Sequence, residues 1–269
     1  MSKNLLRFGF HDFLNAQPLL QPLVRLGREA GIEMVLDTPA AVAAKLKSGE
    51  LDLAMIPSVE YLRHADRYRL LPGLAIASRG VVGTVLLVTR TPLKTIRTLS
   101  LDNRSLTSAA LLKILFADRL SPTVRFHSRI PDLETMLATD DAALIIGDQA
   151  FRARERFPDA TVYDLSEEWF RQTGKTFVHA VAAVRPDATL GKETIERIQQ
   201  IEPRETIPEI VKTWAGKTGI STAECADYLS NRIIYRLGEA ELEGLAHFRN
   251  LCHERGLIEQ AHPIRSVDV

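Results

Sequence analysis

The sequence is poor in cysteine and carries no excess charge of either sign. Only two of its 269 residues are cysteines, Cys225 and Cys252, which are too few for a disulfide framework or a cysteine zinc site. We therefore expect two buried, inert thiols. The 34 basic and 34 acidic residues cancel, so the protein has no positive field to attract nucleic acid or an anionic membrane. Nucleic-acid binding is not expected.

Long apolar runs and cofactor motifs are also missing. No stretch reaches the roughly 18 apolar residues of a membrane span, and the residues before the first predicted strand do not form the apolar core of a secretion signal. We therefore expect a cytoplasmic protein with no membrane partner. The sequence has no Gly-rich dinucleotide loop, no P-loop and no His/Cys cluster at metal spacing. No metal and no cofactor are expected.

What the sequence does contain is a regular alternation of apolar strands and helices. The beginning reads as strand, helix, strand, helix, strand, which predicts a parallel sheet. Predicted strands lie near 5–10, 32–36, 51–56, 69–77, 81–90, 98–101, 123–126, 142–146, 163–165 and 177–185. From Pro186 onward the pattern is helical. The sequence therefore predicts an α/β protein with a helical C-terminal tail.

The length suits two domains of ordinary size. We predict a first lobe at 1–91, a second lobe inserted at 92–180, and a return to the first lobe with C-terminal helices at 181–269. Pro92 is the predicted strand exit between the lobes. Such a double crossing leaves a cleft between the lobes, and hinge closure over a ligand is the motion that this architecture supports.

Polar side chains follow three predicted strands at the point where a helix begins. Asn15 follows the strand at 5–10, Ser58 follows the strand at 51–56, and Ser105, Thr107 and Ser108 follow the strand at 98–101. Free N–H groups at a helix start bind anions, and open α/β sheets bind ligands at the carboxyl ends of their strands. The three corners predict a cleft for a small anion. The alternative at each corner is simple helix capping.

Several segments, in this order, together resemble chorismate dehydratase of the futalosine route to menaquinone. They are Phe13-Leu14-Asn15-Ala16-Gln17-Pro18-Leu19, Asp52-Leu53-Ala54-Met55-Ile56-Pro57-Ser58-Val59-Glu60-Tyr61, Leu71-Pro72-Gly73-Leu74-Ala75-Ile76-Ala77-Ser78, Ala143-Leu144-Ile145-Ile146-Gly147-Asp148, and Tyr163-Asp164-Leu165 with Glu168-Trp169. The resemblance implies a two-lobed type II periplasmic-binding-protein-like fold. It also implies a hydro-lyase that converts chorismate to 3-(1-carboxyvinyloxy)benzoate and water.

Two other functions remain open. The related 1,4-dihydroxy-6-naphthoate synthase of the same pathway has an amino-terminal segment rich in Ser, Pro and Asp, unlike Phe13-Leu14-Asn15. A non-catalytic solute-binding protein for a small carboxylate would use the same fold, but it would need an export signal. Dehydration of chorismate produces an aromatic ring, which supplies the driving force, so the resemblance implies no cofactor.

The resemblance places the family's catalytic asparagine at Asn15, where an amide can donate to a leaving oxygen without bringing charge. The alternative is that Asn15 caps the helix that follows it. Thr84 stands where the family usually has a serine, and we assign it a catalytic role in carboxylate binding, with an ordinary strand residue as the alternative. Gly83 and Arg79 depart from the family pattern.

The predicted substrate-binding residues are Ser58, Ser78, Ser105, Thr107, Ser108 and Gly147, the last because glycine allows close backbone approach. Asp148 would repel a dianion, so we interpret it as a cap for residues 149–156. His11 is a candidate base. The remaining histidines are interpreted as structural: His64, His127, His179, His247, His253 and His262.

Overall fold

Two five-stranded sheets organise the chain, which a computed structural model describes over residues 5–267. The strands are β1 (Leu6–Phe10), β2 (Ile32–Leu36), β3 (Leu53–Pro57), β4 (Arg69–Ser78), β5 (Val85–Thr89), β6 (Thr98–Asp102), β7 (Arg125–Arg129), β8 (Ala142–Ile146), β9 (Thr161–Asp164) and β10 (Phe177–Val184). The first sheet has the order β2-β1-β3-β10-β4, and the second has the order β7-β6-β8-β5-β9. Each sheet forms the centre of one lobe.

The helices cover the faces of the two sheets. They are α1 (Gln17–Ala30), α2 (Pro39–Ser48), α3 (Ser58–Arg63), α4 (Leu106–Leu115), α5 (Leu133–Thr139), α6 (Ala153–Arg156), α7 (Leu165–Thr173), α8 (Lys192–Gln199), α9 (Ile207–Thr218), α10 (Thr222–Asp227) and α11 (Glu239–Glu254). None of these helices, all within residues 5–267, is long and apolar enough to cross a membrane. Cys225 and Cys252 are free and buried, as expected.

The sheets are mixed instead of purely parallel. Strand β1 pairs in parallel with β2 and β3, as the sequence predicts, whereas β10 pairs antiparallel with both β3 and β4. Strand β10 is central in the first sheet, because it lies between β3 and β4 and is buried along nearly its whole length. An apolar run predicts burial on both faces, but it does not predict the direction of a strand.

The lobes change over at a different place from the boundary predicted at 91/92. Strand β5 pairs with β8 and β9, so Val85–Thr89 already belongs to the second sheet, and β10 returns the chain to the first sheet at Phe177. The first crossing is therefore residues 79–84, where Gly80 and Gly83 have positive φ angles of 83° and 82°. Pro92 ends a strand without marking the crossing.

Asp164 joins the two crossing segments. Its carboxylate accepts hydrogen bonds from the backbone nitrogens of Val82 at 3.0 Å and Gly83 at 2.6 Å, on the first crossing. It also accepts bonds from the backbone nitrogens of Ser166 at 3.0 Å and Glu167 at 3.1 Å, where α7 begins on the second crossing. The same carboxylate therefore caps α7 and links the two crossing segments through hydrogen bonds.

The C-terminal region is helical, as its sequence predicts, apart from one extended segment between α10 and α11. A π-helical turn, Tyr228–Arg232, follows α10, and the chain then runs extended so that Ile234 pairs antiparallel with Ala77 of β4. This pairing satisfies backbone groups at the edge of the first sheet, which a helix at the same place would leave open. Helix α11 then packs against β10, α3 and α4, which belong to both lobes.

Candidate active site between the lobes

A cleft that is partly open to solvent lies between the two lobes. The walls come from the carboxyl ends of strands in both sheets, together with the helix starts that follow them. Residues from both lobes line the cleft, among them His11, Phe13, Asn15, Thr84, Arg104, Ser105, Thr107, Ser108, Gly147 and His179.

Six of the eight predicted site residues line this cleft: Asn15, Thr84, Ser105, Thr107, Ser108 and Gly147. Ser58 and Ser78 do not line it. Both are fully buried, because Ser58 lies inside the turn from β3 to α3 and Ser78 lies behind His179 in the first sheet. A polar residue at a strand end can point into the packed interior as well as into a cleft, and sequence alone does not distinguish the two.

The beginning of α4 presents hydroxyl and N–H donors to the cleft. Ser105 stands at the N-cap position, but its side chain caps nothing, and the first helical bond runs from Ala109 N to Ser105 O at 3.2 Å. The Ser105 and Ser108 hydroxyls have no hydrogen-bond partner within the described part of the chain, 5–267. Thr107 differs, since its Oγ1 accepts a bond from Val59 N of the first lobe at 3.3 Å. The lobes are thus in contact at this helix.

Asn15 lies in a short 3-10 turn, Leu14–Ala16, that precedes α1. Ala16 occupies the N-cap position of α1 and no side chain caps that helix, so the capping alternative for Asn15 is not what the structure shows. The buried Oδ1 of Asn15 has no hydrogen-bond partner among the described residues. An unpaired buried acceptor costs roughly 1–3 kcal/mol. Stability of the fold therefore does not explain the position of Asn15, whereas a contact with a ligand would.

Thr84 is buried in the cleft wall, and its Oγ1 lies 3.0 Å from the hydroxyl of Tyr228. Burial raises the pKa of Tyr228, so this phenol is uncharged at neutral pH. Of the two departures from the family pattern, Gly83 bonds through its nitrogen to Asp164, and Arg79 lies over the ring of Phe170 at 5.1 Å. Neither adds a charge to the lining of the cleft.

Arg104 supplies a cation that the sequence interpretation missed. Its Nε and Nη2 donate to Asp102 at 3.0 and 2.7 Å, and Nη2 also donates to the backbone oxygen of Ile146 at 3.2 Å. The guanidinium lies 5.3 Å from the centre of the Phe13 ring of the other lobe. Nη1 has no partner among residues 5–267. A basic residue in the loop between a strand and an anion-binding helix was the signal that could have identified it.

Two histidines line the cleft, and both are neutral at pH 7. Desolvation by burial lowers the pKa of His11 and of His179 to about 4. The Nδ1 of His11 is buried without a partner among the described residues, whereas Nε2 of His179 lies 2.6 Å from the hydroxyl of Ser78. His179, which the sequence interpretation gave a structural role, stands in the cleft wall.

Asp148 makes a contact between the lobes and is not the helix cap predicted from sequence. Arg152 occupies the N-cap position of α6, and Asp148 instead lies beside the turn Leu14–Ala16 of the first lobe. Burial raises the pKa of Asp148 to about 6, although the nearby backbone of Leu14 and the charge of Arg104 oppose the rise. Within the stretch 5–267, no three His, Cys, Asp or Glu side chains are grouped as metal ligands.

Comparison with known proteins shows a matching family and a matching fold. A family model described as menaquinone biosynthesis matches residues 6–254. Chorismate dehydratase of Thermus thermophilus is 31% identical to this chain over 257 residues, which are 89% of this chain and 92% of the relative.

Two solved structures have the same two-lobed arrangement. A structural-genomics protein from Archaeoglobus fulgidus has a TM-score of 0.72 at 17% identity, with 96% of this chain and 100% of that chain covered. The alkanesulfonate-binding protein from Xanthomonas axonopodis, bound to MOPS, has a TM-score of 0.70 at 15% identity, with 97% and 96% covered. The expected periplasmic-binding-protein-like fold is confirmed.

Proposed function

This chain belongs to the menaquinone-biosynthesis family, and from that premise we propose that it is a chorismate dehydratase. The proposed product is 3-(1-carboxyvinyloxy)benzoate, formed with water on the futalosine route in the cytoplasm. Support comes from the Thermus thermophilus relative named chorismate dehydratase, which matches over most of both chains. The enzyme would be a carbon–oxygen hydro-lyase.

One structural observation supports placing the proposed reaction in this cleft. Free hydroxyls at the beginning of α4 and the side chain of Asn15, whose buried Oδ1 is unpaired among the described residues, line the same cleft, and the donors of Arg104 lie beside them. Chorismate has two carboxylates and one ring hydroxyl. A helix start with adjacent hydroxyls suits a carboxylate, and an amide suits a hydroxyl that departs with developing negative charge.

The reaction needs no change of oxidation state. The C–H bond beside the ether oxygen breaks, the neighbouring C–OH bond breaks, and the released proton and hydroxide together make one water. The electron pair of the C–H bond becomes part of the aromatic ring. Because the ring carboxylate is conjugated with the carbon that loses the proton, stabilising that carboxylate lowers the barrier as charge moves onto it.

We assign roles to the cleft residues on this basis. The Asn15 amide faces the leaving hydroxyl, while Ser105, Ser108 and Arg104 bind a carboxylate. Thr84, whose Oγ1 lies 3.0 Å from the hydroxyl of Tyr228, presents a further hydroxyl beside Gly147. The lobes meet around the bound molecule, and closure excludes water, which strengthens each of these interactions.

Gly147 and His11 have narrower roles. The positive φ of Gly147, 69°, holds its backbone at the wall, where the absence of a side chain leaves space for the ligand. His11 is not assigned as the base, because a pKa of about 4 is far below the pH at which the protein works in a cell. Ser58 and Ser78 are given no contact with substrate.

The test is incubation of the purified protein with chorismate, followed by chromatography for 3-(1-carboxyvinyloxy)benzoate. We expect conversion that a chelator does not reduce, because the reaction proceeds through side-chain donors alone. Loss of turnover with chelator and its return with a divalent ion would contradict this part of the proposal. Binding of chorismate without conversion would instead favour a solute-binding protein, and conversion only of a naphthoate precursor would favour the naphthoate synthase.

A further inference from the structure

A chain of three hydrogen-bonded side chains leads from the interior of the protein to the cleft. The hydroxyl of Ser166, at the beginning of α7, lies 2.6 Å from the hydroxyl of Ser78. The hydroxyl of Ser78 lies 2.6 Å from Nε2 of His179. Ser78 and Ser166 are fully buried, whereas His179 lines the cleft.

The direction of these hydrogen bonds follows from counting donors. Each serine has one proton to donate, and neutral His179 has one N–H and one bare nitrogen. If Ser166 donates to Ser78 and Ser78 donates to Nε2, both buried hydroxyl protons are used. In the opposite direction Ser78 donates to Ser166, and the Ser166 proton is left with no acceptor among residues 5–267. A buried donor without an acceptor is unfavourable, so the first direction is preferred.

This direction fixes the tautomer of His179. Because Nε2 accepts a hydrogen bond, the ring proton must be on Nδ1. Nδ1 has no hydrogen-bond partner in the described part of the protein, and the side chain belongs to the cleft wall. The ring is uncharged because burial lowers the pKa of His179 to about 4. The Nδ1–H group of His179 is thus a neutral hydrogen-bond donor at a fixed position in the cleft wall.

We propose that His179 is a substrate-orienting residue whose Nδ1–H donates a hydrogen bond to an acceptor oxygen of the ligand, with a carboxylate oxygen as the chemical class, and that Ser78 and Ser166 hold it in that tautomer. The assignment rests on the proposed function for the identity of the ligand. It also predicts specificity. A fixed N–H donor binds a ligand with an anionic oxygen at that point and disfavours a ligand that presents an N–H there.

The tautomer can be measured directly. Long-range ¹H–¹⁵N spectra of protein labelled at histidine distinguish Nδ1–H from Nε2–H, and the spectrum of His179→Phe identifies the His179 signals. We expect Nδ1–H in the wild-type protein. The double variant Ser78→Ala with Ser166→Ala removes the whole chain without leaving a buried donor behind, and here the ¹⁵N signal of the bare Nε2 should move to the position of a nitrogen that accepts no hydrogen bond. Nε2–H in the wild type, or an unchanged Nε2 signal in the double variant, would overturn the assignment.

Binding supplies the second measurement, with 3-(1-carboxyvinyloxy)benzoate as the probe in calorimetry. His179→Phe keeps a ring of similar shape but no donor, and its affinity should fall about tenfold or more. His179→Asn, whose amide nitrogen takes the place of Nδ1, should stay within a fewfold of the wild type. Equal affinity of the wild type and His179→Phe, with both folded by circular dichroism, would overturn the donor role.

The two measurements separate this inference from the proposed function. If the wild-type protein neither converts chorismate nor binds the probe, the proposed function fails, while the tautomer of His179 still decides whether a neutral donor faces the cleft. If the protein converts chorismate but carries Nε2–H on His179, the proposed function stands and the inference is overturned.

Discussion

Replacing Asp148 by asparagine should raise the melting temperature of this protein at neutral pH. The Asp148 carboxylate is partly buried at the contact between the lobes, and burial raises its pKa from 3.8 to about 6. The native state therefore holds the proton to a higher pH than the unfolded chain. The free energy of unfolding falls as the pH rises from 3.8 to about 6, because the charged carboxylate opposes folding. Asparagine has nearly the same shape and carries no charge.

The magnitude follows from the shift in pKa. A rise from 3.8 to about 6 corresponds to at most about 3 kcal/mol at neutral pH, and to about 1–2 kcal/mol once partial exposure to solvent is allowed for. For a protein of this size, 1 kcal/mol changes the melting temperature by about 2–4 °C. Asp148→Asn should thus melt about 2–8 °C higher than the wild type at about pH 7.5. The difference should shrink steadily as the pH falls from about 6 toward 3.8, because Asp148 becomes protonated in the unfolded chain as well.

The assay is thermal unfolding of both proteins in a series of buffers between about pH 4.5 and 7.5. His11 and His179, whose pKa values burial lowers to about 4, destabilise both proteins in acid, so only the difference between the proteins is interpreted. Asp159→Asn, at an exposed carboxylate of the same lobe, is the matched control and should change little. A variant less stable than the wild type at neutral pH, or a gap independent of pH, would refute the reasoning.

Three further substitutions test the cleft. Asn15→Ala should lower kcat and kcat/KM together, because its amide is assigned to the transition state. It should not lower the melting temperature, because Asn15 caps no helix and its buried Oδ1 has no hydrogen-bond partner among the described residues. A destabilised variant with full turnover would contradict this. Ser108→Ala should weaken calorimetric binding of the product about tenfold or more, with exposed Ser128→Ala as its control, and unchanged affinity would place the carboxylate elsewhere. Gly147→Ala should lower the free energy of unfolding in urea by about 1–2 kcal/mol, because a φ of 69° strains any residue with a Cβ. Space is not the reason, since the nearest atom to such a Cβ, in the Phe13 ring, is 3.9 Å away. Equal stability of the two proteins would show that this turn relaxes.

Strand and helix positions were predictable from sequence because the apolar periodicity is strong. The carboxyl ends of β1, β6 and β8 meet at the cleft, so polar residues just beyond them, such as Asn15 and Ser108, could be placed there by topology alone. The lobe crossing was predicted at the wrong place because proline is a conspicuous strand breaker. The true crossing depends on how β5 pairs with β8 and β9, which is a long-range contact.

The direction of side chains was the second property that the sequence did not predict. Ser58 and Ser78 lie at strand ends like the true cleft residues, but they point into packed interior, and no local pattern separates the two cases. His179 was missed because it lies within a strand and not at its end. A polar side chain inside an otherwise apolar, buried strand was the available signal, since buried polar residues usually have a partner or a task.

The four backbone bonds to Asp164 have a mechanical consequence. Both segments that connect the lobes are tied to one carboxylate, so these segments cannot separate from each other without breaking those bonds. We therefore expect the lobes to move by rotation about an axis that passes near Asp164. Atoms close to that axis, such as those of Thr84 beside Gly83, are displaced little, whereas atoms at the far rim sweep the largest arc. We therefore expect the cleft to open by a hinge motion at its outer rim, with the hinge axis near the buried side chain of Asp164.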